Sequence, residues 1–366
     1  MALDRIACVC GGIVIASAAA TAQQGGVTGP DPAPQQPTSR VIERTYPAGG
    51  VAPWRRVLTR SVSGVSEVVS EAVETPGMDG RLGPYQATVT ETTRPAIDTT
   101  RTTQDLFAFG AQRQRRLLER TESTEVVSGV ETSATQDTLA PDLNGRLALR
   151  SRQVELTRMV GTNARDREST LLLPTINEAL RESERTQYTE RPISPSVIRQ
   201  DSSRLVRDVN GRWQFTETRS RDVRDSGPSE QAEEETIQRP DVSGKLTVSE
   251  RSLTRRVTAD GREDVVIETY RRNFEGLVRT DSGFGLSQRV RRSSTPTAGG
   301  GRDVVEEVEA RNPVARNDPM RVIRRTVATV RPIGPGRWTT ERQVFERDVN
   351  GRLVLVATET EETSGE

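Results

Sequence analysis

The chain has 366 residues, of which 33% are apolar and 4% aromatic, so any core it builds is thin for its length. Its 52 basic residues balance 52 acidic ones, which leaves no global field to draw in DNA or an anionic membrane. Histidine is absent, and with it go Ser-His-Asp and Cys-His catalysis, the commonest general base and the commonest metal ligand.

The first residues carry one positive side chain, Arg5, followed by an apolar run from Ile6 to Ala20 and then Ala20-Thr21-Ala22, which reads as a secretory signal peptide over residues 1–22. An uncleaved anchor is the alternative, but the run is too short to span a bilayer comfortably. No later run is apolar enough to do so, and no transmembrane segment is expected after cleavage. The only cysteines, Cys8 and Cys10, leave with the signal, so the exported chain is expected to hold neither disulfide nor thiol. Residues 23–40 are Gln, Gly, Pro, Thr and Ser with almost no apolar content, and they read as a disordered tether. The expected location is secreted, periplasmic or at the cell surface.

From residue 41 to 366 the sequence reads as one β-repeat domain. Its recurring phrase is Asp-x-Asn-Gly-Arg-Leu, at Asp142 to Leu147 and Asp348 to Leu353, with Asp208-Val-Asn-Gly211-Arg-Trp213 and Asp241-Val-Ser-Gly244-Lys-Leu246 as close copies. Asn-Gly between strand-like runs predicts a type I′ turn, with two residues at positive φ. Gly80, Gly145, Gly211 and Gly276 are spaced by 65, 66 and 65 residues, and Gly351 follows after 75. Weaker turns fall midway, at Gly110, Asn177, Gly244 and Asn312. The repeat unit is thus about 33 residues with two strands, and pairs of units suggest a larger one of about 65.

Each unit holds a basic run and a more acidic one, such as Leu246 to Val257 and Glu263 to Glu268. Antiparallel neighbours would then set arginine across from glutamate, for about 0.2 to 1 kcal/mol per pair. The apolar residues just after the turns, Leu82, Leu147, Trp213, Leu246 and Leu353, are expected to hold the sheet together. A surface helix is the alternative for Asp303 to Arg311, and a short helix for part of Thr170 to Glu184.

The turn phrase resembles the YD repeats of the RHS family, whose units share an Asp-x-x-Gly-Arg-Leu turn and form extended β shells or surface proteins. The matching residues are Asp142, Gly145, Arg146 and Leu147; Asp208, Gly211 and Arg212; and Asp348, Gly351, Arg352 and Leu353. The tyrosine of that pattern is replaced by Pro141, Arg207 and Arg347, and the match covers only the turns.

No chemistry-bearing constellation stands out, so no catalytic, cofactor or metal residues are assigned and no cofactor is expected. Asp-x-Asn-Gly resembles the opening of a calcium loop, but a third Asp and a bidentate Glu are missing. Gly299-Gly300-Gly301-Arg302 lacks the Gly-Lys-Ser/Thr of a phosphate loop and reads as a hairpin. Trp54, Trp213 and Trp338 read as repeated packing positions beside turns.

The expected fold is an all-β antiparallel meander, either a five-bladed propeller or an open repeat sheet. The expected function is a non-catalytic structural, adhesive or envelope-associated role, through charged strand edges that recruit another copy or an envelope component. The alternative is an extracellular propeller that binds or cleaves a glycan or peptide through its end loops. Nucleic acid is not an expected partner.

Overall fold

The computed structural model describes residues 39–47, 53–77, 80–110, 113–177, 179–225, 227, 229–272, 283–311 and 319–365. The signal peptide and nearly all of the tether lie outside them, as do the turn candidates at Gly276 and Asn312. The chain forms β1 (Ser39–Pro47), β2 (Trp54–Ser63), β3 (Ser66–Pro76), β4 (Leu82–Ala96), β5 (Thr99–Phe109), β6 (Arg115–Ser128) and β7 (Glu131–Pro141). It continues through β8 (Leu147–Gly161), β9 (Ala164–Pro174), β10 (Leu180–Ser194), β11 (Val197–Arg207), β12 (Trp213–Asp225), β13 (Glu230–Pro240) and β14 (Leu246–Ala259). The last six are β15 (Arg262–Arg272), β16 (Phe284–Pro296), β17 (Arg302–Ala310), β18 (Arg321–Gly334), β19 (Arg337–Arg347) and β20 (Leu353–Gly365). Thr, Val and Arg dominate these strands, and the β-branched residues suit a pleated, half-exposed wall.

All 20 strands belong to one sheet, each antiparallel to its neighbours in sequence. The sheet closes on itself: Val41 of β1 faces Leu58 of β2 on one side and Thr363 of β20 on the other. The fold is therefore a closed antiparallel barrel, and the expected propeller and open sheet are both wrong. The reason lies in the pairing chemistry. A propeller needs breaks between blades, but each basic strand here meets carboxylates on both sides, so no boundary marks off a four-strand group. Arg255 of β14 pairs with Glu230 of β13, for example, while Arg256 of β14 pairs with Glu263 of β15.

The alternative helix at 303–311 is strand β17, and 170–184 holds the end of β9, a turn and the start of β10. Val304, Val305 and Val308 lie along β17, where β-branched residues fit the pleat better than a helix.

Among the described residues the wall encloses no packed core. Substantial contacts run only between neighbouring strands. Among the described residues the buried apolar side chains are Phe107, Ala164, Ile237, Ala328 and Val344, and none is fully buried. Twenty strands at the usual spacing and tilt give a circumference of about 125 Å and a diameter of roughly 40 Å, too wide for side chains to fill. The ladder hydrogen bonds and the cross-strand pairs hold this wall together.

Candidate functional site

Because the strands alternate in direction, the turns joining β3 to β4, β7 to β8, β11 to β12, β13 to β14 and β19 to β20 stand at one rim. In the β7–β8 turn Gly145 N–H donates to the Asp142 carbonyl (3.0 Å) and Asp142 N–H to the Arg146 carbonyl (2.8 Å). One Asp142 carboxylate oxygen accepts the N–H groups of Asn144 (2.8 Å) and Arg146 (2.9 Å). Asp208 and Asp348 repeat this geometry. Only the glycine has positive φ, at +77° for Gly145 and +81° for Gly211 and Gly351. The turn is thus a three-residue loop closed by a left-handed glycine, and not the expected type I′ turn. The carboxylate decides the outcome: by capping two N–H groups it keeps Asn144 in ordinary negative-φ backbone.

Asp241 carries one further donor, the Ser243 hydroxyl at 2.6 Å. That hydrogen bond, with those from the Ser243 and Lys245 backbone, holds the Asp241 carboxyl below the usual carboxylate range. A depressed folded-state pKa contributes stability above the unfolded value and loses it as pH falls through the folded one. The amide signals of Ser243 and Lys245 are therefore expected to titrate with a midpoint below the ordinary Asp value of about 3.9. An NMR midpoint at or above that value would show that the cap does not form.

Five residues after Gly80, Gly145, Gly211, Gly244 and Gly351 the returning strand carries an extra residue, and hairpins without a glycine at that offset carry one as well. Thr216, Ser249, Ser183 and Ser287 are examples of such bulged residues, and each donates its hydroxyl across to a carbonyl of the partner strand, at 2.9 to 3.2 Å. Nine hairpins share this register shift. Bulges of this kind bend a strand and add twist, which helps a long sheet to close.

Directly beyond the bulge, five of the nine hairpins set apolar pairs face to face: Phe107 and Leu117, Leu139 and Leu149, Leu205 and Phe215, Tyr270 and Leu286, Phe345 and Leu355. The register carries these pairs on one face of the wall. Two residues nearer the rim, on the same face, stand Leu82, Leu147, Trp213, Leu246 and Leu353. These residues form an apolar collar at one rim instead of holding the whole sheet together. The Arg207 guanidinium lies 5.7 Å from the Trp213 ring, and that of Arg115 lies 3.4 Å from Phe107. At the turn tips Leu143, Val209, Val242 and Val349 are 106%, 99%, 110% and 103% exposed.

Below the collar both faces of the wall are charged. Arg152 to Asp137, Arg120 to Asp105 and Arg199 to Asp222 are two-point pairs on the collar face, at 2.6 to 2.8 Å. On the other face Arg204 grips Glu184 through two bonds of 2.7 Å, and Arg56 grips Glu71 at 2.7 and 3.1 Å. Exposed pairs of this kind are screened by water and add little net stability. Their common geometry fixes register more than it adds stability.

The remaining candidates do not converge. Trp213 stands at the collar, whereas Trp338, 41% exposed, lies at the opposite rim beside the β18–β19 turn. Gly301 closes the β16–β17 hairpin by accepting the Thr297 N–H at 3.0 Å, so that loop bonds to itself. Among the described residues no three His, Cys, Asp or Glu side chains are grouped to hold a metal ion. The arrangement offers a hollow polar conduit with one apolar rim, and its interest lies in what the wall separates and what the rim touches.

By its register the molecule is a large closed antiparallel β-barrel. No family model matches the chain and no curated protein does. Among solved structures it is similar to the siderophore receptor PirA from Pseudomonas aeruginosa, at 9% identity over 90% of this chain and 81% of that one, with a TM-score of 0.43. The alcaligin outer membrane receptor FauA from Bordetella pertussis is similar at 10% identity over 90% and 76%, with a TM-score of 0.47. A mutant of the Rh. blastica porin is similar at 6% identity over 89% and 97%, with a TM-score of 0.37. A TM-score below 0.5 is too low to carry fold or function across, and closure rests on the chain's own strand register.

Closure overturns three further expectations. The resemblance to YD repeats does not extend beyond the turns, because Asp-x-x-Gly-Arg-Leu encodes a hairpin loop that any antiparallel wall can use. A structural or adhesive role through strand edges, with self-association or envelope binding as its consequence, fails because β1 and β20 satisfy each other and no edge is left. The expectation of no transmembrane segment rested on the lack of a long apolar run, a criterion that does not apply to a barrel, which crosses a bilayer with strands. No helix among the described residues is long and apolar enough to cross a membrane, which says nothing of a barrel.

Proposed function

We propose that the chain is exported and works in the cell envelope as an outer-membrane-type β-barrel whose hollow interior gives polar solutes a water-filled path. The observation that carries this reading is a closed wall of 20 strands with no packed interior. Strand length agrees: β2 to β20 span 9 to 15 residues, and about 9 to 11 tilted residues suffice to cross a bilayer. Arg, Glu, Ser and Thr on both faces keep the path wettable, whichever face is inward.

The ion pairs on both faces favour a second reading, in which the conduit stands in water and meets the membrane at an end. A bilayer-spanning barrel carries an outward apolar band about 25 Å tall, and an outward Arg at the midplane costs about 2 to 4 kcal/mol. Here Arg152 and Asp137 occupy the middle of one face, and Arg204 and Glu184 stand on the other.

Planar-bilayer recording and detergent-free purification test the two together. A passage across the bilayer is expected to give discrete conductance steps and to need detergent for extraction. Monodisperse protein without detergent, with no conductance, would overturn the spanning reading in favour of the second. Detergent-extracted protein that inserts yet conducts nothing would overturn the passage itself.

A further inference from the structure

The turn tips and the collar are left unexplained by a polar conduit. Leu143, Val209, Val242 and Val349 project from four different hairpins at one rim, each at 99% exposure or more. A cation follows each turn: Arg146, Arg212, Lys245 and Arg352 are all exposed, each beside the turn aspartate, and among the described residues no side-chain ion pair within 4.0 Å engages them. Behind the tips comes the collar, two rows deep, with Trp213 and Phe107 stacked against arginines. At the opposite rim the exposed tips Val65, Ile97 and Val130 are followed by Glu67, Asp98 and Glu131, whereas the β14–β15, β16–β17 and β18–β19 turns are followed by Arg262, Arg302 and Arg337, so that rim is mixed in charge.

Resting on the second reading, in which the barrel stands in water, we propose that this rim docks end-on to an anionic phospholipid bilayer, its aliphatic tips entering the headgroup layer and its Arg and Lys side chains meeting lipid phosphate. Three features select this occupant. The tips belong to hairpins spread along the wall from β7 to β20, so a broad, flat partner engages them together, whereas a small ligand reaches one or two. Aliphatic tips backed by guanidinium groups match the apolar-below, phosphate-above layering of a lipid surface. Aromatic rings with arginine at the collar suit the same boundary, where an apolar body and a polar tip are both satisfied. The charged wall beyond the collar then limits how deep the barrel goes.

The test is cosedimentation of the whole purified protein with vesicles of phosphatidylcholine alone or with 30% phosphatidylglycerol, in low salt and in 1 M NaCl. Two variants accompany it: one carrying Leu143→Ser, Val209→Ser, Val242→Ser and Val349→Ser, and one carrying Val65→Ser, Ile97→Ser and Val130→Ser at the opposite rim. All seven positions are exposed, and circular dichroism is the check that both variants fold. Expected is pelleting with the anionic vesicles, reduced at least tenfold in the first variant, unchanged in the second and weakened by salt. Equal pelleting of the two variants and the parent protein would overturn the proposal. So would a vesicle-free dimer that the tip substitutions dissolve, since that assigns the rim to a second copy. The outcome is separable from conductance: a protein that conducts while the tip variant binds unchanged sinks the rim, and one that loses binding in the tip variant without ever conducting supports the rim and sinks the passage.

Discussion

Ending the chain at Arg352, so that β20 is removed, is expected to abolish the barrel and not merely weaken it in proportion. β20 pairs with β19 from Leu353 to Ser364 and with β1 from Ala357 to Gly365. Its loss strips both ladders at once. The two strands left bare, β1 and β19, run parallel to each other, so they cannot rebuild the antiparallel register that holds every other seam. With no packed interior to keep the wall curved, the sheet opens along two long edges that recruit other chains. Size-exclusion chromatography and thermal unfolding by circular dichroism should show aggregates without a cooperative transition. A truncated chain that stays monomeric and melts only a few degrees lower would show that closure is not what stabilises the wall.

Gly351→Val is expected to destabilise the protein by about 2 kcal/mol, because a β-branched residue is strained in the left-handed region and the site sits at φ +81°. Space is not the obstacle, since an added Cβ would meet only the end of the Arg347 side chain, at 3.5 Å. Asp348→Ala removes the acceptor of two backbone N–H groups, at 2.8 and 2.9 Å. Both amides are exposed and turn to water, so that change should cost less, about 1 kcal/mol. Denaturant midpoints of the two variants and their combination decide the matter. A Gly351→Val protein as stable as the parent would mean that the loop reaches its geometry without a left-handed residue.

The hairpins were legible in the sequence because each is written locally. Asp142, Asp208, Asp241 and Asp348 with their glycines announce a turn by hydrogen-bonding capacity and backbone freedom, and Arg opposite Glu or Asp announces an antiparallel seam. The turn type was missed because Asn-Gly is the usual type I′ signal, and the Asp two residues before Asn changes which N–H groups are satisfied. The bulges went unread, although Thr216, Ser249 and the turn glycines stand at a constant offset that would have shown them. Closure left no local trace. Strand count and shear are properties of the whole ring, and a 33-residue period is equally compatible with blades, an open array or a barrel. The collar was half visible: Leu82, Leu147, Trp213, Leu246 and Leu353 were picked out, but only register shows that they share one face and one rim.

Each hairpin carries its own turn, nine of the ten carry a bulge, and each pairs with its neighbours through the same antiparallel ladder. The unit is therefore a gauge of bore. Removing one whole hairpin takes two strands from the 20, preserves the antiparallel parity at every seam and narrows the ring by roughly a tenth, whereas removing a single strand breaks that parity. A gene of this design changes the width of its tube by duplicating or losing a short in-frame segment, with the rim chemistry copied intact each time.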